Sequence, residues 1–226
     1  MVGMLVGSFT FGWIADQVGR KPTLMVSLVF LSFGGSLPSF FHMHPGLYYI
    51  FVLSRFISGF GHVGTFMVTV SLALEYVGAE YRATFGILIE IPFALGGTIV
   101  GFLSWVGIRD WQELMLLVSV PNILLLVYWF CLPESPRWLL AMGRIKEFNT
   151  VLSKAARLNN KQSWTATSEP LVSEIDMLPT NSGGKPSLLD LFMPRIILGR
   201  SICLFFNWCV TILCYFGLTS IASVLT

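Results

Sequence analysis

The sequence specifies an all-α integral membrane protein, and three observations carry that reading. Of its 226 residues, 54% are hydrophobic and only 12% charged, against about 25% charged residues in an ordinary soluble domain, which is too little charge to wet a globule. The charges are also segregated: residues 133–200 hold 15 of the 26 charged side chains, so a polar insert interrupts a nearly uncharged body. Finally, six segments reach or approach the ~20 apolar residues with which a helix crosses the bilayer core, where every backbone amide must find its partner inside its own segment. A soluble domain, a disordered chain and a nucleic-acid binder are excluded, because the net charge is only +2 and no stretch forms a basic block.

The first segment, residues 1–15, is apolar but several positions short of a full crossing, as if a span were cut in half. It runs into Asp16 with no basic region before it, which argues against a secretory signal. Residues 23–41 contain no charge, 47–74 contain only Arg55, 83–108 only Glu90, 114–132 none and 201–222 none. The expected organisation is an incomplete five-span bundle over 1–132, an insert over 133–200, and over 201–226 the first helix of a second bundle. Basic residues near span ends fix the orientation. Arg20, Lys21 and Arg82, with Arg137, Arg144, Lys146, Lys185, Arg195 and Arg200 flanking the insert, stand on one side against Arg109 alone on the other. The insert is therefore expected in the cytoplasm, with the connector 42–46 and the turn around Arg109 facing outward.

Within the insert, Ile145, Phe148, Val151, Leu152, Ala155 and Leu158 recur at helical spacing while Lys146, Lys154 and Arg157 lie off that stripe. This predicts an amphipathic helix at the inner membrane surface or under the bundle. Residues 163–186 read as a flexible linker, and Ser187 as the cap of a short helix before the last span. The four cysteines, Cys131, Cys203, Cys209 and Cys214, fall in or at the end of spans without metal-ligand spacing and read as small apolar fillers. With no metal-ligand set, phosphate loop or nucleophile motif, no cofactor, metal or catalytic residue is expected, and the chain is not expected to be an enzyme.

Three clusters of residues ask for more than a topological explanation. Between the first two spans runs Gly12-Trp13-Ile14-Ala15-Asp16-Gln17-Val18-Gly19-Arg20-Lys21-Pro22. Gly19 supplies the backbone freedom of a tight turn and Pro22 suits a first helical turn. Asp16 stands at a helix C-terminus, where the dipole does not favour an acid, so it is expected to seek a donor such as another helix's N-terminus. Arg55 is followed by Gly59, Gly61 and Gly64, and Glu75 by Arg82. Pro133-Glu134-Ser135-Pro136-Arg137-Trp138-Leu139 closes the fifth span.

These segments resemble the conserved loop and helix ends of major facilitator superfamily transporters, and the Pro133–Leu139 run is shared by their sugar porters and their solute carrier 22 organic ion transporters. Gln17 departs from the Arg usual in that loop. Phe206-Asn207-Trp208-Cys209-Val210, with Tyr215 beyond it, stands where sugar porters carry a Gln pair, so the chain resembles the organic ion branch. The resemblance implies six spans of a twelve-helix fold, from the second helix to the seventh. It also implies transport of a small organic ion, cations favoured, by alternating access in a multi-pass protein of the plasma membrane. Its partners would be the lipid bilayer and the substrate, with no nucleic acid. A receptor or scaffold with unrelated topology, and a truncated chain that pairs with a full-length transporter, remain as alternatives.

Charged groups inside the membrane are costly and count as functional candidates. Arg55 can snorkel outward. Glu90 shares a helical face with Ala94, Gly97 and Gly101, a small-residue face expected to pack closely and turn the carboxylate into the bundle, as a counter-ion or a structural partner. Asp16, Gly19, Arg20, Lys21, Glu75, Arg82, Glu134 and Arg137 form the expected inner latch, a network broken and remade between two states; the competing reading is topological signalling alone. Trp208 and Tyr215, seven residues apart, share one face of the last span with Asn207 beside them, either as a cation-binding wall or as core. Trp105, Trp111, Tyr128 and Trp129 read as an interfacial belt.

Overall fold

The computed structural model describes residues 1–40, 48–107, 110–159 and 195–225. In chain order the helices are α1 (Val2–Gln17), α2 (Arg20–Ser36), α3 (Tyr48–Tyr76), α4 (Arg82–Val106), α5 (Trp111–Leu124), α6 (Tyr128–Cys131), α7 (Pro136–Ala141), α8 (Ile145–Leu158) and α9 (Arg195–Leu225). Short 3-10 turns at Leu37–Phe40, Ala79–Tyr81 and Leu125–Val127 extend α2, introduce α4 and join α5 to α6. No strand occurs among the described residues.

Five stretches are long and apolar enough to cross a membrane: Arg20–Phe40, Tyr48–Tyr76, Arg82–Val106, Trp111–Cys131 and Leu198–Leu218. The chain is thus a multi-pass membrane protein, and each expected full span falls on one of these. The 16 residues of α1 reach about 24 Å at 1.5 Å per residue, short of the bilayer core as the sequence predicts. The chain divides into two compact units, residues 1–168 and 169–226. In the second, the described part is α9, which begins at Arg195, six residues before the expected span. The linker 163–186, Ser187, the connector 42–46 and Arg109 lie outside the described residues.

In the first unit α3 packs along both α1 and α2, and α5 packs on α2. Lipid gives helices no hydrophobic reason to associate, so close approach and polar contacts decide which faces meet. Gly61 of α3 lies so near α2 that a Cβ there would sit 2.7 Å from the Ser27 carbonyl oxygen, and a Cβ on Gly7 of α1 would sit 2.7 Å from that of Phe60. Phe11 fills the angle between the three helices, its ring 4.6 Å from that of Phe60 and 6.4 Å from that of Phe30. The Thr65 hydroxyl donates across the α2–α3 seam to Ser27 Oγ at 3.1 Å, and Ser27 in turn donates to the Leu24 carbonyl at 2.8 Å. Ala15, Leu24, Met25, Leu28, Val68 and Leu72 form the buried core beside this seam.

In contrast, α4 contributes no buried residue. The amphipathic helix appears as α8 and packs on α7, with Ile145, Phe148, Val151 and Leu152 of its apolar stripe half-buried and Ala155 and Leu158 exposed towards its end.

Candidate functional site

The N-terminus of α2 presents unpaired backbone N–H groups, and its cap position is Gly19, which has no side chain to satisfy them. Glu134, in the connection between α6 and α7, does so from 114 residues away. Its Oε1 accepts from the N–H of Arg20 at 3.0 Å and of Lys21 at 3.1 Å, and also from Ser135 N–H at 3.0 Å. The carboxylate therefore sits at the positive end of the α2 dipole. Gly19 is required twice over: its φ is +119°, and a Cβ would lie 2.6 Å from Glu134 Oε2.

The Arg20 guanidinium donates to Asp16 Oδ1 at 2.6 Å and to Glu75 Oε1 at 3.3 Å, linking α1, α2 and α3. The Lys21 ammonium lies 4.9 Å from the centre of the Trp129 ring, a cation–π distance. Trp138, buried on α7, donates its indole N–H to the Asp16 carbonyl at 2.9 Å, satisfying one of the carbonyls orphaned at the end of α1. The Tyr76 hydroxyl donates to the Pro133 carbonyl at 2.6 Å. Ser135 caps α7 by accepting from Trp138 N–H at 3.3 Å, with Pro136 in the first turn. Arg144 then lies over the Trp138 ring, 5.6 Å from its centre, and bonds Glu147.

Six of the eight expected latch residues are thus brought together: Asp16, Gly19, Arg20, Lys21, Glu75 and Glu134. Arg82 and Arg137 form no ion pair among the described residues. Arg82 Nε and Glu75 Oε2 are both buried without a hydrogen-bond partner. Asp16 finds the donor expected of it, though not at a helix N-terminus. Its carboxylate pairs with Arg20 one turn away instead of meeting a helix N-terminus, because Glu134 occupies the one nearby. That role of Glu134, and the anchoring by Tyr76 and Trp138, were not anticipated. The available signal was the absence of Ser, Thr, Asp or Asn before Arg20, which leaves the start of α2 in need of an acceptor from elsewhere.

Between α2, α3, α4 and the α5–α6 run lies a cleft of about 720 Å³. Its walls are leucines and aromatic rings, among them Phe66, Phe85, Phe93 and Tyr128, with His62, Thr65 and Thr69 as the polar groups along α3. Tyr128, expected in an interfacial belt, also lines this cleft, and Trp129 lies against Lys21.

Glu90 is exposed and does not line the cleft, since α4 turns Phe85, Ile89, Pro92 and Phe93 towards it. The close packing expected of the Ala94, Gly97, Gly101 face is not found in this unit: Ala94 is exposed, and a Cβ on either glycine would meet nothing within 4 Å. Small residues permit an approach, and no described helix of this unit makes it. Arg55 is exposed, with Nη1 3.3 Å from Met115 Sδ, one turn from Phe51, whose ring meets Trp111 edge-on at 6.0 Å. On α9, Asn207, Trp208 and Tyr215 are exposed, and Trp208 and Tyr215 share one face of the helix.

A family model for sugar (and other) transporters matches residues 1–224. The chain belongs to that family. Its curated relatives include the organic cation transporter protein of Drosophila melanogaster, 33% identical over 97% of this chain and 40% of that one. Solute carrier family 22 member 2 of Rattus norvegicus is 32% identical over 96% of this chain and 38% of that one. The chain therefore spans about two fifths of the length of these relatives. Among solved structures, the major facilitator superfamily proton:xylose symporter XylE bound to 6-bromo-6-deoxy-D-glucose superposes with a TM-score of 0.66 at 21% identity, covering 78% of this chain and 41% of that one. The partially occluded inward-open form of the xylose transporter XylE from E. coli gives 0.64 at 20% identity, covering 77% and 45%. The transporter-family chain accordingly has part of the major facilitator superfamily fold, as its sequence motifs imply, and its relatives are transporters and not enzymes.

Proposed function

We propose that the transporter-family chain is part of a plasma-membrane carrier that moves small organic ions, cations in preference, by alternating access, with residues 133–200 on the cytoplasmic side. The observation that carries the reading is the clamp at the α1–α2 turn. Individually weak ion pairs, about 0–1 kcal/mol where exposed, are assembled there with a helix-capping carboxylate into a closure that ties three helix ends and can be released as a unit. Positive-inside bias puts Arg20, Lys21 and the insert on the inner side. The substrate class follows from the similarity to proteins named organic cation transporters and from walls of aromatic and aliphatic side chains, which suit an amphipathic ion better than a polyol. Glu90 is assigned as a counter-ion, with Asn207, Trp208 and Tyr215 as the substrate-facing wall of α9.

The test is uptake of radiolabelled tetraethylammonium against glucose by the protein at the full length of its relatives. Saturable uptake of the cation and none of the sugar is expected, with Glu90→Gln lowering it. Sugar uptake alone would overturn the assignment. The 226-residue chain by itself, in vesicles, is expected to give no saturable uptake.

A further inference from the structure

We propose that α8 lies flat on the inner leaflet of the membrane and binds anionic phospholipid headgroups through Lys146, Lys154 and Arg157. The inference rests on the inner-side placement of residues 133–200 and is independent of what is carried. Its starting point is the length of the tether. The span Trp111–Cys131 ends at the membrane surface, and α8 begins at Ile145, 14 residues later. The chain between them is not free to lead away from the bilayer: Tyr76 holds the Pro133 carbonyl, Glu134 caps α2, and the Trp138 indole donates to the end of α1. The helix therefore starts beside the inner ends of α1, α2 and α3.

Charge identifies the partner. Glu147 is the single acid of α8 and is already paired with Arg144. Lys146, Lys154 and Arg157 are exposed, and their side chains form no ion pair or hydrogen bond among the described residues. At about 100° per residue they fall within an arc of about 80°, opposite the apolar stripe. Topology accounts for the first of them alone. Lys154 and Arg157 stand 23 and 26 residues beyond Cys131, past the roughly 15–20 residues over which basic side chains orient a span. The three acids of the clamp, Asp16, Glu75 and Glu134, are engaged by Arg20 and the α2 amides, and Glu80 forms no ion pair among the described residues, so the bundle supplies no counter-charge. The apolar stripe is also only partly covered: α7 reaches about 9 Å and α8 about 21 Å at 1.5 Å per residue, and Leu158 is 78% exposed. A helix with one basic and one apolar face is the form that settles in a membrane interface, and an anionic leaflet favours each such charge about fivefold.

The experiment follows amide hydrogen exchange over residues 145–158 of the 226-residue chain in phosphatidylcholine nanodiscs with and without phosphatidylserine. Phosphatidylserine is expected to slow that exchange by about tenfold or more, and high salt to remove the slowing. K146Q/K154Q/R157Q reduces the lipid effect to less than about twofold, whereas K146R/K154R, which keeps every charge, retains it. All three positions are exposed, and unchanged exchange in α2 and α3 establishes that the variants keep the fold. Equal exchange in the two lipids, a lipid effect that survives K146Q/K154Q/R157Q, or protection that requires the protein at its relatives' length and ignores lipid charge, as expected if the remainder of a longer chain covers α8, each overturns the proposal. Both leaflets of a nanodisc carry the same lipid, so these outcomes do not depend on which face is cytoplasmic. Labelling of a tag within residues 133–200 from outside intact cells would sink the inner-side placement alone.

Discussion

Two spans of this chain, α2 and α4, are both rich in small residues and α4 is the more apolar, yet α2 buries eight residues and α4 none. The difference teaches what hydropathy leaves out. In lipid, an apolar helix gains nothing by touching another apolar helix, so glycine spacing grants access and a matching contour or polar partner must use it. Gly61 meets the α2 backbone, and Thr65 meets Ser27 beside it. Gly97 and Gly101 of α4 meet nothing in their unit.

The largest expected effect tests that contrast directly. Gly61→Leu should drive side-chain atoms into the α2 backbone and cost about 3 kcal/mol, read as loss of folded protein in a dodecylmaltoside–SDS titration. Gly97→Leu, the same change on α4, should move the midpoint by less than ~0.5 kcal/mol. Equal effects would mean that α4 is as tightly held as α2. Next comes Glu134→Ala, which removes charge-assisted bonds to three N–H groups, those of Arg20, Lys21 and Ser135, and leaves the start of α2 uncapped. A loss of about 2 kcal/mol should accompany faster hydrogen exchange at the Arg20 and Lys21 amides, with Glu134→Gln recovering about half.

Arg20→Gln should cost about 1 kcal/mol through its half-buried contact with Glu75, whereas Asp16→Asn, at a carboxylate 66% exposed, should cost under ~0.5 kcal/mol and less still in high salt. A larger loss at Asp16 than at Arg20 would invert that ranking. The smallest effect belongs to Thr65→Val, about 0.6 kcal/mol for one interhelical hydrogen bond in a membrane, provided that Ser27 is kept.

The same contrast explains how much of the molecule was legible from its residues. Spans declare themselves because crossing hydrocarbon is a local requirement, met or failed by about 20 consecutive side chains. That is why α2, α3, α4, α5–α6 and α9 fall where apolarity put them, and why the stripe from Ile145 to Leu158 becomes α8. The clamp was legible only in membership. Gly19, Arg20, Glu75 and Glu134 were recognisable as a set from the motifs they stand in, but their pairing depends on which helix end arrives beside which, information held in contacts more than 50 residues apart in sequence. Asp16 and Glu134 carry the same charge at the same end of the bundle. What distinguishes them is that α2's bare N-terminus points at one of them. The cleft was illegible for a similar reason, since Tyr128 and His62 share it only after α3 and α6 face the same space.

That Glu134 completes a helix begun at Arg20 also sets an order in time. A ribosome adding about 5–20 residues per second needs roughly 6–23 s to synthesise the intervening chain. During that interval the start of α2 must take its hydrogen bonds from water or phospholipid headgroups. The turn is therefore completed in stages: the Arg20 side chain has Asp16 beside it at once and Glu75 55 residues later, while the Arg20 and Lys21 amides wait for Glu134.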